Sequence, residues 1–130
     1  MSASSIGSEH RDGAIRVDSE KDGIIAVCLE GDFDLTNAPV LRDHIDRTLE
    51  SGNDLIIDLS QVTFIDSSVI SVLFHGAKAV EGRDQAVVLQ VATAPIVERA
   101  LELVEIERVL PRAHNRPEAI QLIQHKPPSA

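Results

Sequence analysis

"DLIIDLSQVTFIDSSVISVLF", residues Asp54 to Phe74, changes its periodicity part-way along. Leu55, Ile56, Ile57 and Leu59 are too continuous for a half-exposed strand, so "DLIIDLSQVTFI" predicts a buried strand and its exit. After the polar triplet Asp66-Ser67-Ser68, apolar residues return at helical spacing: Val69, Ile70, Leu73, Phe74, Ala77 and Val80, with Gly82 as a stop. A buried strand that passes through a hydroxyl-rich turn into an amphipathic helix is the beginning of a parallel βαβ unit.

Working outward from this unit, "AIRVDSE", the turn "KDG" and "IIAVCLEG" predict a hairpin, with Gly23 supplying backbone freedom. "DFDLTNAP" leads into a helix that Thr36 or Asn37 caps and Pro39 opens; Ala38, Leu41, Ile45 and Leu49 form its apolar stripe, and Ser51-Gly52 ends it. "QAVVLQVA" predicts a further strand. "TAPIVERALELV" predicts a third helix that starts with Thr93 or Ala94 before Pro95 and buries Ile96, Val97, Ala100, Leu101 and Val104. "IERVL" is expected to be a short strand and "RPEAIQLIQ" a last helix. The resulting order, β-β-α-β-α-β-α-β-α, implies an α/β domain: a mixed β-sheet with packed α-helices, parallel except for the hairpin. Residues 1–12 and 125–130, polar and without periodicity, are expected to be disordered tails around one domain at 13–124.

The composition bounds the function. The chain has 130 residues, enough for one real core, and 43% of them are hydrophobic, yet only 2% are aromatic. That core must be aliphatic, and stacking platforms for single-stranded nucleic acid are missing. A net charge of −9 repels a phosphate backbone, so nucleic acid is not an expected partner. The single cysteine, Cys28, cannot form an internal disulfide and is expected to be a small buried residue. No apolar run reaches the roughly 18 residues of a membrane span, and "MSASSIGSEHRDG" lacks the apolar centre of a signal peptide, so a cytoplasmic protein is expected. The five histidines are scattered with no ligand pairing, and no glycine-rich phosphate cradle is present, so neither a metal nor a nucleotide cofactor is expected.

Two acidic stretches carry the chemistry that remains. In "GDFDLT", Asp32 and Asp34 lie two apart on an extended segment and point the same way, a pair able to share a magnesium ion. The Asp-x-Asp-x-Thr order resembles the nucleophile motif of haloacid-dehalogenase-like phosphatases. The lysine and the later acidic pair of such a site do not follow, so a solvated acidic loop before a helix cap is the simpler reading. In "IDSSV", Asp66, Ser67 and Ser68 are each able to cap the helix, but one cap is enough, which leaves at least one hydroxyl free. A nucleophilic serine would need a base and an orienting acid, and the Gly-x-Ser-x-Gly elbow is absent. An enzyme is therefore not expected. A modified hydroxyl needs only exposure and a kinase.

"GDFDLTNA" followed by "IIDLSQVTFIDSSVISVLF" resembles the anti-sigma-factor antagonists, the bacterial STAS domains, and the likeness extends from about Gly23 to Pro111. Asp58, Leu59, Ser60, Val62, Phe64, Ile65, Asp66, Ser67 and Ser68 match the family run that precedes its second helix, and "VATAPIVERALEL" is similar to the segment that opens the third. The resemblance implies a single STAS-like domain and a switch. In such proteins the serine after the Asp is phosphorylated by an anti-sigma factor with a histidine-kinase-like ATPase fold. The unmodified antagonist binds that serine kinase and releases a sigma factor; the phosphorylated one does not, and a serine phosphatase resets it.

Carried over, the acceptor is Ser67, and the docking face comprises Asp32, Asp34, Leu35, Asp66, Ser67, Ser68 and Val69. Leu35 and Val69 are read either as apolar anchors on that face or as core. Where the family usually has Gly, this chain has Val69, whose bulk is expected to alter partner choice. A phosphate on Ser67 would gain roughly 0.3–1 kcal/mol from the helix dipole. A carboxylate about 6 Å away would repel it by roughly 3 kcal/mol, so the phosphate should point outward, where a partner must close over it. The alternatives are a phosphorylation-independent STAS scaffold, in a stressosome-like or lipid-transport assembly, and a small magnesium-dependent phosphatase using Asp32 and Asp34.

Overall fold

The computed structural model describes residues 12–91 and 93–125. Of the two expected tails, only the inner residues Asp12 and His125 fall within that range; the rest lie outside the described residues. The elements run β1 (Ala14–Ser19), β2 (Ile24–Phe33), α1 (Ala38–Glu50), β3 (Asp54–Ile65), α2 (Ser67–Ala79), β4 (Val87–Gln90), α3 (Pro95–Leu103), β5 (Arg112–Ala113) and α4 (Arg116–Gln124). The strands form one five-stranded sheet in the order β1-β2-β3-β4-β5. β1 pairs antiparallel with β2, and each later neighbour is parallel. The mixed α/β fold expected from the sequence is the fold observed.

The hairpin turns where Asp22 and Gly23 both take positive φ, 62° and 73°, as a tight turn matched to the twist of its strands requires. One face of the sheet presents Val27, Leu29, Leu55, Ile57, Leu59, Val87 and Leu89 to α1, α2 and α3, whose Leu41, Ile45, Val69, Leu73, Val97 and Leu101 complete the larger core. The other face presents Ile24, Ala26, Cys28, Ile56 and Val88 to Ala119 and Ile123 of α4. β3, buried on both faces, is the continuous apolar run read from its sequence.

Two expectations fail around α3. Ile96 and Val104 were expected in the core, yet they are 60% and 37% exposed, because the helix turns only Val97 and Leu101 fully inward. Residues 106–110 form no strand. Ile106–Arg108 is a single 3-10 turn entered through Glu105 at φ 53°, which drives Ile106 and Leu110 into the core as plugs. The last strand comes two residues after Leu110, as Arg112–Ala113 beside β4.

Candidate functional site

β2, β3 and β4 are parallel to one another and each is followed by a helix, so the N-termini of α1, α2 and α3 gather at one end of the sheet. That end, beyond the carboxyl ends of the strands, is where open α/β sheets place their sites. The strand exits there are irregular. β3 slips against β2 between the Cys28 and Glu30 pairings and again between Gly31 and Asp32, and such bulges re-aim side chains. Thr63 at this slip donates its hydroxyl to the Asp32 carboxylate at 2.5 Å.

Asp32 is 8% exposed and lies within β2, an inner strand of the sheet, rather than on a solvated loop. Asp34 follows the strand and accepts both the N–H and the hydroxyl of Thr36, at 2.9 and 2.5 Å. The two carboxylates therefore have different surroundings and different partners. Among the described residues no group of three or more His, Cys, Asp or Glu side chains is placed to hold a metal ion. Asn37 stands at the N-cap of α1 as expected, but its side chain does not cap. Its Oδ1 accepts the Asp34 N–H at 2.8 Å and its Nδ2 donates to the Asp32 carbonyl at 3.0 Å, which braces the whole β2 exit. Gly13 closes over this brace: a Cβ there would lie 2.3 Å from Asn37 Nδ2 and 2.6 Å from the Asp32 carbonyl oxygen.

Of the three capping candidates before α2, Asp66 is the cap. Its carboxylate accepts the Ser68 N–H at 2.9 Å, the Val69 N–H at 3.3 Å and the Ser68 hydroxyl at 2.5 Å. Ser68 is thereby committed to the cap. Ser67 is the first residue of the helix and is exposed, and its hydroxyl has no hydrogen-bond partner among the described residues. The two alternatives left open for Leu35 and Val69 separate. Leu35 is 71% exposed, whereas Val69 is 0% exposed and belongs to the core. Val69 is thus not a surface contact and adds no bulk to the face; the helix turns it inward one residue after the cap.

Sequence reading missed two apolar residues at this end. Phe64, near the end of β3, is 39% exposed, and Ile96 in the first turn of α3 is 60% exposed. With Leu35 they give each of the three strand exits one uncovered apolar side chain.

A separate polar cluster occupies the α4 side of the sheet. Arg116, at the start of α4, donates to Asp58 at 2.8 Å, to Glu20 at 2.8 Å, to Gln90 at 2.8 Å and to the Cys28 sulfur at 3.1 Å. Burial disfavours its charge, but the hydrogen bonds to Asp58, Cys28 and Glu20 and the attraction of Cys28 together outweigh that, so its pKa is raised above the ordinary arginine value. Burial pushes the Cys28 thiol up, against the pull of Arg116. A groove of about 440 Å³ opens beside the cluster, lined by Arg16, Cys28, Glu30, Asp58 and Ser60 among others. No sequence motif marked Arg116, because its partners are scattered over the chain from Glu20 to Gln90.

The STAS domain family model matches residues 17–119. This chain belongs to the STAS domain family. Among solved structures, an anti-sigma factor antagonist from Mycobacterium paratuberculosis superposes with a TM-score of 0.79 at 24% identity, over 87% of this chain and 95% of that one. The anti-sigma factor antagonist SpoIIAA in its unphosphorylated form gives 0.72 at 18% identity, over 85% and 96%. The Bacillus cell fate determinant SpoIIAA in its phosphorylated form gives 0.66 at 17%, over 85% and 99%. At these identities the likeness establishes the shared fold. Among the described residues of this STAS domain, no helix is long and apolar enough to cross a membrane.

Proposed function

We propose that this STAS domain is an anti-sigma factor antagonist, a cytoplasmic, non-enzymatic binding module switched by phosphorylation of Ser67. The observation that carries the proposal is the division of labour before α2. Asp66 and Ser68 complete the helix cap between them, and Ser67 stands exposed with a free hydroxyl that the fold does not use. The solved antagonist of this fold with an unphosphorylated and a phosphorylated form lends support.

The partner is an anti-sigma factor that is also a serine kinase, with a histidine-kinase-like ATPase fold, and a serine phosphatase reverses its action. The unmodified face, with Asp34, Leu35, Ser67 and the rim of the Asp66–Ser68 cap, docks on the kinase. Phe64 and Ile96 extend this face with apolar area at the neighbouring strand exits. Asp32 sits behind it and holds its shape through Thr63. A phosphate carries about −1.5 to −2 charges, and enclosing it without a matched cation costs several kcal/mol. Each 1.4 kcal/mol is about tenfold in affinity, so one phosphate ends binding with no change of fold.

The test is a pull-down from native lysate with the unmodified chain, Ser67→Ala and Ser67→Glu as baits, read by mass spectrometry. Retention of a protein with a kinase-like ATP-binding fold by Ser67→Ala but not by Ser67→Glu supports the switch. If both variants hold the same set, the switch is rejected and a phosphorylation-independent scaffold takes its place.

A further inference from the structure

The two edges of the sheet are unequal. β5 is two residues long, and its Arg112 is tied to Glu98 and Glu107, so it offers little to another strand. β1 is six residues long, and among the described residues no strand pairs with its outer side. Alternate backbone N–H and C=O groups of such an edge point away from the sheet, and soluble proteins commonly guard them with charge. Here the guards are Arg16 and Asp18, of opposite sign, spaced two apart around Val17. Both project on the face that carries Cys28 and Ala26, their partners in β2. Val17 projects to the other face and is 48% exposed.

We propose that β1 is a homodimerisation edge, where two copies of this chain pair antiparallel about a two-fold axis at Val17 and join their sheets into one. A pairing centred on Val17 sets Arg16 opposite the partner's Asp18, and Asp18 opposite the partner's Arg16. It also sets Val17 against the partner's Val17 and covers the apolar surface that one copy leaves open. Opposite charges directly across an antiparallel pair stabilise it, and like charges destabilise it. Centring on Arg16 or on Asp18 would set two arginines or two aspartates face to face, so the charge pattern selects one register. The same pattern repels strands that lack the complementary spacing.

Within one copy Arg16 donates to both Asp18 carboxylate oxygens at 3.1 Å, and the Cys28 thiol donates to Asp18 at 3.5 Å. The Arg16 side chain is 70% exposed, so on pairing it exchanges this contact for the partner's Asp18. A two-fold axis perpendicular to the sheet keeps the α1–α3 layers of both copies on one side and both α4 helices on the other, and closes the assembly at two copies.

Sedimentation velocity of the full chain over a concentration series tests this. The wild type is expected to dimerise reversibly, and more strongly at low salt. Arg16→Asp and Asp18→Arg should each weaken self-association at least tenfold, because each sets like charges across the axis. An equimolar mixture of the two variants should recover a heterodimer, in which every facing pair is again opposite in sign. Circular dichroism confirms that each variant folds. Register is read independently by cysteine cross-linking in a Cys28→Ser background. Val17→Cys should give a covalent dimer on mild oxidation, whereas Ala14→Cys, about 20 Å from its own copy at the strand rise of about 3.3 Å per residue, should not. A wild type that stays monomeric at several hundred micromolar overturns the proposal. So does a dimer indifferent to both charge reversals, a mixture that fails to associate, or a cross-link equally good at residue 14.

Discussion

The Asp66 carboxylate turns inward to accept the N–H of Ser68 at 2.9 Å, and the Ser67 hydroxyl beside it is left facing solvent. Adjacent residues thus divide the cap from a hydroxyl that the fold does not use. Asp66→Ala should cost about 1 kcal/mol of stability, within the roughly 0.5–2 kcal/mol range for a lost N-cap. Ser67→Ala should stay within about 0.5 kcal/mol of the wild type, as for surface substitutions generally. Urea denaturation of both variants measures the difference. A Ser67→Ala as costly as Asp66→Ala would mean that Ser67 shares in the cap.

Val69 is fully buried at the position where the family usually has Gly. Val69→Gly removes a core side chain and places a glycine within α2. The lost burial of roughly 1.5–3 kcal/mol and the glycine penalty of about 1 kcal/mol add to a loss of roughly 2.5–4 kcal/mol. Thermal and urea unfolding read that loss directly. An affinity change for the partner without a stability change would return Val69 to the surface.

Much of this fold was legible because the chain's periodicities are strong. The ranges of β3 and α4 followed from their apolar runs and the start of α3 from Pro95, which act locally. The region 106–110 was misread because Ile106 and Leu110 look like strand residues, and only the tertiary core decides that they plug it from a 3-10 turn. Ile96 and Val104 were misplaced for a related reason: α3 is short, and an apolar stripe does not tell which of its edges the sheet leaves uncovered. At the site, the order Asp66-Ser67-Ser68 was visible as a cap with hydroxyls to spare. The choice of Asp66 as cap, the Thr63–Asp32 bond and the Asn37 brace depend on side-chain directions set by the β3 slip. The Arg116 hub left no sequence trace, since its contacts reach as far as 96 residues along the chain.

Arg116 carries the next prediction. Its Nη2 lies 2.8 Å from Asp58, whose side chain is only 9% exposed, so truncating the arginine leaves a carboxylate with its charge partner gone. Breaking a fully buried pair costs about 3–5 kcal/mol; with the Arg116 side chain 21% exposed, Arg116→Met should cost roughly 2–3 kcal/mol. The double variant Arg116→Met/Asp58→Asn should recover at least about 1 kcal/mol of that, because the orphaned charge is removed as well. A double-mutant cycle in urea measures the coupling, and strict additivity would show that the contact is energetically idle.

Gly13 offers a test of the brace behind the candidate face. A Cβ at this position would stand 2.6 Å from the Asp32 carbonyl oxygen and 2.3 Å from Asn37 Nδ2, and the backbone oxygen cannot retreat as a side-chain tip can. Gly13→Ala should therefore cost about 1–3 kcal/mol, the range for overpacking a filled site. Asn37→Ala, which removes one of the clashing groups and the brace with it, should blunt the added cost of the Gly13 change. Equal costs in both backgrounds would count against the contact.

Cys28 gives a pH dependence whose sign is fixed by burial. The folded protein holds the thiol proton more tightly than the unfolded chain, since burial raises the pKa above its ordinary 9.0 and Arg116 lowers it only in part. A group with a raised folded pKa contributes stability that is complete below the unfolded value and is lost as pH rises through the folded one. The wild type should thus lose stability on the alkaline side, from about pH 9 upward, more steeply than Cys28→Ala, which has no thiol to ionise. The variant should be offset from the wild type by a constant amount below that range, because the small cavity it creates does not titrate. Urea midpoints from pH 7 to about 11 would show the two curves parallel at first and then converging. Curves that stay parallel throughout would mean that the Cys28 environment treats thiol and thiolate alike, and that the arginine cancels the burial.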